Sequence, residues 1–234
     1  MEKRGRKSDG RLTKAKMMQA AVTLFLQNGY QNTTISQISE MAGMTHSAFF
    51  RAFRDKEAIL YALIAYVFDK QFAETDTLLA GVRDPLLLYG VETALQLHIT
   101  ELSEALRDVY VMAYSLPTTS EYIYQRTAQK LQAIFSPYMP GAEAKDFYEL
   151  EIASGSIMRG YMAKKCDVYF TMEHKLARFL SCCMKIYCVP EEKCAQVLAA
   201  VQKVKLHAIA EKVIQDTVEQ VRQGLICADA SGEG

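Results

Sequence analysis

Residues 33–57 read TTISQISEMAGMTHSAFFRAFRDKE, two short amphipathic segments on either side of one glycine. Thr34 and Gln37 stand at capping-box spacing, where hydroxyl and amide side chains satisfy backbone N–H groups at a helix start. Ile35, Ile38, Met41 and Ala42 recur at helical intervals and are expected to face inward, up to Gly43, which suits a sharp turn. Thr45 is placed to cap a second helix with Ala48, Phe49 and Phe53 inward and His46, Ser47 and Arg51 outward. Asp55 can cap the helix that follows. Two short helices about a tight turn make a helix-turn-helix pattern, whose outer face is available to read DNA.

The charge around this stretch agrees with that pattern. Through Lys56 the chain carries ten Lys or Arg against four acids, net +6, and the remainder carries 17 against 23, net −6. The formal charge of zero therefore conceals a basic head on an acidic body, as expected when one end meets phosphate and the rest must not. Lys3-Arg4-Gly5-Arg6-Lys7 belongs to a segment, 1–12, expected to be a flexible arm that follows the DNA backbone or enters the minor groove.

Residues 13–60 contain an amphipathic segment ending in Asn28-Gly29-Tyr30, then Thr33-Thr34-Ile35, Ile38, Ala42-Gly43, Thr45, Phe50, Phe53 and Lys56-Glu57. In order and spacing these residues resemble the DNA-binding domain of TetR-type transcriptional regulators. Two positions depart from the family pattern. Phe50 stands where a tyrosine hydroxyl usually reaches a backbone phosphate, and Ser47 stands where glycine is common. On this reading His46 and Ser47 reach base edges beside Phe50, and Thr33, Thr34, Thr45, Arg51 and Lys56 hold phosphates.

Past Lys56 the periodicity predicts helices throughout. A helix from Glu57 to about Thr77 has Ile59, Leu60, Leu63, Ile64, Val67 and Phe68 on its inner side and joins head to body. Asp84-Pro85 opens a segment running to Ser115 with a break near Thr100, and Pro117 ends it. Thr118 and Glu121 have the spacing of a further capping box, opening a helix to about Phe135. Helices over 142–166 and 171–187 follow, and a last stretch from Pro190 to about Gly224 shows a drifting stripe that includes Val197, Val201, Val204, Ala208, Val213, Val218, Val221 and Leu225. That drift indicates a kink or two helices. Sustained period-two alternation is absent. The predicted fold is all-α, with an arm (1–12), a three-helix helix-turn-helix domain (13–56), a helical effector-binding and dimerisation domain (57–227) and a flexible tail (228–234).

Within the body, Ser156 and Gly160 lie one turn apart, so that another helix can approach closely. Leu176, Phe179 and Cys183 form a stripe on the next helix. The resemblance implies that these two helices pair with their counterparts in a homodimer, which also supplies the two-fold symmetry of a paired DNA site. Tyr89, His98, Tyr110, Tyr114, Phe135, Met158 and Tyr161 belong to a set of aromatic and thioether side chains suited to a pocket for a small apolar or amphiphilic effector.

Other classes have less to stand on. The sequence has no phosphate-binding glycine loop, nucleophile elbow or zinc-protease motif, and its four histidines at 46, 98, 174 and 207 lack metal-ligand spacing. No enzyme activity, metal or cofactor is therefore expected. Six cysteines at 166, 182, 183, 188, 194 and 227 include no C-x-x-C pair and read as reduced thiols. A thiol-based redox regulator is the alternative they leave open, with a helical enzyme or structural protein behind it. No apolar run reaches the ~20 residues of a membrane span and no signal-peptide pattern appears, so a cytoplasmic protein is expected, acting on double-stranded operator DNA.

Overall fold

Short polar side chains set the helix starts along the chain. Thr34, Thr45, Asp84, Ser103 and Thr171 each accept a backbone N–H from the first turn of the helix that follows. The structure is a computed structural model that describes residues 2–78 and 84–223, with the side chains of 2–9 and 68–78 outside the description. Among the described residues it is all-α, with eleven α-helices and one 3-10 turn. They are α1 (Glu2–Asn28), α2 (Ile35–Met41), α3 (His46–Ala52), α4 (Lys56–Leu78), α5 (Pro85–Leu102) and α6 (Glu104–Ala113), then α7 (Pro117–Phe135), α8 (Ala144–Ala163), α9 (Met172–Ile186), α10 (Glu191–Val201) and α11 (Leu206–Arg222).

Helices α1, α2 and α3 pack together, with Met17, Phe25, Ile38 and Phe49 almost fully buried between them. In the body α5 is the hub, packed against α4, α6, α10 and α11, while α7, α8 and α9 stack in sequence beside it. Ile59, Leu60, Leu63, Ile64 and Val67 of α4 are buried as their spacing predicts; the Phe68 side chain lies outside the description. The backbone of the expected arm is not set apart from the domain, because α1 is helical from Glu2. Leu225, Cys227 and the expected tail fall outside the described residues.

The structure refines several of the expected boundaries and caps. The break after α5 falls at Ser103, whose hydroxyl accepts the Leu106 N–H at 3.1 Å. Pro117 begins α7 instead of only ending what precedes it, since a proline without an N–H costs nothing in a first turn. The expected Thr118–Glu121 box is not made: Glu121 accepts the Tyr148 hydroxyl at 2.9 Å, and the Thr118 N–H goes to Glu57 Oε1 of α4 at 2.8 Å. The drifting C-terminal stripe resolves into α10 and α11, and α11 lies across α5 and reaches α1.

Candidate nucleic-acid interface and internal cavity

The turn between α2 and α3 depends on backbone conformation. Gly43 takes φ +65°, and the Met44 N–H returns to the Ser39 carbonyl at 2.9 Å. A side chain at Gly43 would meet nothing within 4 Å, so conformation and not space calls for glycine. The capping box of α2 is complete: the Thr34 hydroxyl accepts the Gln37 N–H at 3.2 Å, and Gln37 Oε1 accepts the Thr34 N–H at 2.8 Å. Thr45 Oγ1 accepts the Ala48 N–H at 3.2 Å and starts α3.

Helix α3 buries Ala48 and Phe49 and leaves Thr45, His46, Ser47, Phe50 and Arg51 exposed on one side of the head. His46 Nε2 lies 3.0 Å from Ser36 Oγ of α2, which orients the ring across the motif. Phe50 is 57% exposed, an unusual position for so large an apolar ring. Met41, expected inward, is exposed because the two-turn α2 buries only Ile38 and Ser39. Phe53 is half-buried as the extended residue that ends α3. Asp55 accepts the Ala58 N–H at 2.8 Å and caps α4; its bond to Arg54 holds the carboxyl below its ordinary range.

Two expected phosphate contacts are corrected. Thr33 is buried, and its hydroxyl donates to the Gly29 carbonyl at 2.7 Å, closing the end of α1. Lys56 Nζ donates to the carbonyls of Tyr30 and Thr33, both at 2.7 Å, and sits 4.1 Å from the centre of the Tyr30 ring. Burial lowers the Lys56 pKa, and the Tyr30 hydroxyl is pushed up to about 12 by burial and the nearby Glu57 and Asp55 carboxylates. Lys56 is thus a structural cation clamping the α1–α2 turn. Thr34 and Thr45 keep exposed positions although their hydroxyls serve as caps.

Besides the apolar packing of α1 on α6 and α11, two polar contacts bear on how the head meets the body. Asp108 of α6 accepts the Gln31 N–H at 2.8 Å and the Gln31 amide at 2.5 Å. Glu57 caps α7 through Thr118, beside Tyr61 of α4 set edge-on to Tyr122 of α7 with ring centres 5.0 Å apart.

A cavity of about 40 Å³ lies inside the body. It is lined by Tyr89, Glu92, Thr93 and Gln96 of α5, Tyr114 after α6, Thr127, Lys130, Leu131 and Ile134 of α7, Glu151, Ser154, Gly155 and Met158 of α8, and Phe179 of α9. Of the residues expected in a pocket, Tyr89, Tyr114 and Met158 are here, and the Tyr114 hydroxyl donates to Gln96 Oε1 at 3.0 Å. Phe135 stands behind the wall, stacked on Tyr187 at 4.2 Å and edge-on to Tyr89 at 5.0 Å. Tyr110 lines an apolar seam between α1, α4, α6 and α11 instead. Tyr161 packs edge-on to Phe179 away from the cavity, and His98 faces His207 of α11 with ring centres 6.4 Å apart. Burial and the His207 ring lower the His98 pKa to about 4.

The polar lining was missed, although the sequence carries its signal. Tyr89, Glu92, Thr93 and Gln96 repeat at i, i+3, i+4 and i+7 on an otherwise apolar helix, so a polar stripe runs along an element that is buried on most sides. Glu92 pairs with Lys130. Glu151 is 5% exposed, and burial pushes its carboxyl up to about 7 against the opposing bonds from Ser154 and Tyr187.

The expected dimer residues divide. Ser156 and Gly160 lie on the outer face of α8, and a side chain at Gly160 would meet nothing within 4 Å. Leu176, Phe179 and Cys183 are instead buried in the protomer's own core, because α9 turns that stripe toward the body; Arg178, Cys182 and Lys185 take the exposed side. Burial raises the thiol pKa values of Cys166 and Cys194 and pushes Cys183 up to about 12, which disfavours the reactive thiolate at those three positions. Among the described residues no group of three His, Cys, Asp or Glu is placed to hold a metal ion, and no helix is long and apolar enough to cross a membrane.

Residues 17–63 match the family model of bacterial regulatory proteins, tetR family. An uncharacterized HTH-type transcriptional regulator of Bacillus subtilis (strain 168), YuxN, is 27% identical over 117 residues, which is 50% of this chain. The match spans 39% of that relative's length. The crystal structure of a gamma-butyrolactone receptor (ArpA-like protein) aligns over 89% of this chain and 99% of that chain, with 17% identity and a TM-score of 0.41. Residues 17–63 are thus similar to the DNA-binding head of tetR-family regulators, and α2 and α3 within that stretch have the helix-turn-helix geometry that the match implies.

Proposed function

We propose that the chain acts in the cytoplasm as a homodimeric repressor without enzymatic activity, released from its operator when a small amphiphilic effector enters the α5–α9 cavity. The observation that carries this reading is the hydrogen bond between α4, the helix that follows the exposed α3, and α7, which forms one wall of the cavity. Glu57 stands one residue after the Lys56 clamp and caps α7, the helix that supplies Thr127, Lys130, Leu131 and Ile134 to the cavity. In this division the head is 13–56 and the effector and dimer domain 57–227.

At the operator, His46 and Ser47 meet base edges, while Thr34, Thr45 and Arg51 contact phosphates. The exposed Phe50 ring fits against thymine methyl groups, an apolar contact in place of the family's tyrosine–phosphate bond. Two copies associate through the outer faces of α8 and α9, where Ile152, 41% exposed, Ser156 and Gly160 leave room for a second helix. An effector that parts α7 from α8 shifts the Glu57 cap and changes the spacing of the two heads, which must stay about 34 Å apart to enter successive major grooves.

Duplexes selected from a random library identify the operator. The decisive measurement is reciprocal: an effector that lowers operator affinity 5- to 150-fold, the usual range of coupling, binds the operator-bound dimer more weakly by the same factor. A ligand that binds free and operator-bound dimers equally is not the effector.

A further inference from the structure

Two carboxylates and one ammonium line the body cavity. The ammonium of Lys130 pairs with Glu92. Glu151 has only hydroxyl partners: Oε2 accepts from Ser154 at 2.5 Å, with the Tyr187 hydroxyl 3.5 Å away. Its other oxygen, Oε1, lies 3.7 Å from where a side-chain carbon on Gly155 would sit. The ionisable groups around it are Tyr89 and Glu92 of α5, Tyr114 after α6, Tyr124 and Lys130 of α7, and Cys183 and Tyr187 of α9. Among the described residues that line the cavity Lys130 is the one cation, and it pairs with Glu92, which leaves Glu151 facing hydroxyl groups. Buried charge without a partner is costly, and the carboxyl takes up a proton instead. The rings of Tyr89, Tyr114 and Phe179 add π-faces and Met158 adds a polarisable wall.

We propose that this cavity takes a monocationic amphiphile, a protonated amine or quaternary ammonium on an aromatic or branched apolar body, with its charge against Glu151. The proposal rests on the reading of the cavity as the effector site and names the chemical class of that effector. The incoming cation replaces the proton on Glu151, which leaves to solvent, so charge in the cavity is conserved. A volume of about 40 Å³ holds little more than a water, and pockets for drug-sized ligands are ~300 Å³ or more. Entry therefore moves side chains. Half-buried Tyr124 lies directly over Gly155 of the α8 wall, 2.9 Å from where a side-chain carbon on that residue would be. Its displacement would move α7, which carries the Glu57 cap at its far end.

Calorimetric titration of the full chain with benzyltrimethylammonium, benzyl alcohol and benzoate tests this class directly. The cation is expected to bind at least tenfold more tightly than either other probe and about tenfold more tightly at pH 8 than at pH 6, with proton release at pH 6 detected by comparing two buffers. Glu151→Gln should remove both the preference and the pH dependence, and the wild-type pH profile keeps the test valid if that variant does not fold. Equal binding of benzyl alcohol, no binding of the cation, or unchanged cation binding in a folded Glu151→Gln protein overturns the proposal. Repeating the titration on the operator-bound dimer separates the two readings. Cation binding that ignores the operator keeps the ligand class and removes the effector role; operator release by benzyl alcohol alone removes the class and keeps the effector role.

Discussion

Lys56 and Glu151 show how far a residue's role is set by what surrounds it. By sequence position Lys56 is a cation expected at a phosphate; in the fold two carbonyls occupy its ammonium. Lys56→Ala should lower the melting temperature, since losing charged hydrogen bonds costs roughly 1.5–3 kcal/mol. It should leave the salt dependence of DNA binding unchanged, whereas Arg51→Ala should flatten that slope. Equal flattening by both variants would return Lys56 to the phosphate-contact set. Glu151 and His98 give opposite pH dependences. A carboxyl raised to about 7 when folded is favoured protonated, so its contribution to stability is lost as pH rises from about 4.5 to about 7, at about 1.4 kcal/mol per pH unit. His98, lowered to about 4, loses stability as pH falls from about 6.5 toward 4. The two offset each other over much of the same range. Glu151→Gln should make stability rise with pH there, and His98→Gln should make it fall; identical melting curves against pH for both variants and wild type would contradict these environments.

Among the elements, α7 connects the two ends of the proposed switch. Its first turn is capped from α4 by Glu57, where a carboxylate also meets the positive end of the helix dipole, and its later turns line the cavity. Glu57→Ala should cost about 1 kcal/mol of stability and reduce the effector's effect on operator affinity. Effector-free operator affinity should change by only a few-fold, because the head retains Lys56 and the Asp108–Gln31 contact. Unchanged coupling in Glu57→Ala, measured by anisotropy with and without effector, would move the signal to another route. Helix α11 is a candidate for that route, since it touches both α5 and α1.

For the molecule as a whole, symmetry and charge make separate claims. Gly160 faces open space in the protomer, so Gly160→Leu should leave protomer stability nearly intact while shifting the sedimentation profile toward monomer, with a parallel loss of operator affinity. An intact dimer in that variant would remove the outer face of α8 from the interface. If each head neutralises about three phosphates, a dimer meets about six, and log K should fall against log salt with a slope near −5.

The helix-turn-helix was legible from sequence because its determinants are local. Thr34 with Gln37, Gly43 and Thr45 act within four residues along the chain, and each makes the bond or takes the conformation its spacing predicts. The all-helical body was equally legible, since apolar spacing and proline placement are also short-range signals. What only the tertiary structure decided are the contacts between residues far apart in sequence. Glu57 meets Thr118, Asp108 meets Gln31, and the stripe of Leu176, Phe179 and Cys183 faces the protomer's own core and not a second copy. Helical periodicity says that a stripe is buried, without naming the surface that buries it. The pocket set divided for the same reason: Tyr89, Tyr114 and Met158 reach the cavity while Phe135, Tyr110, Tyr161 and His98 lie elsewhere, and the polar wall of Glu92, Gln96 and Glu151 forms only where α5 and α8 converge.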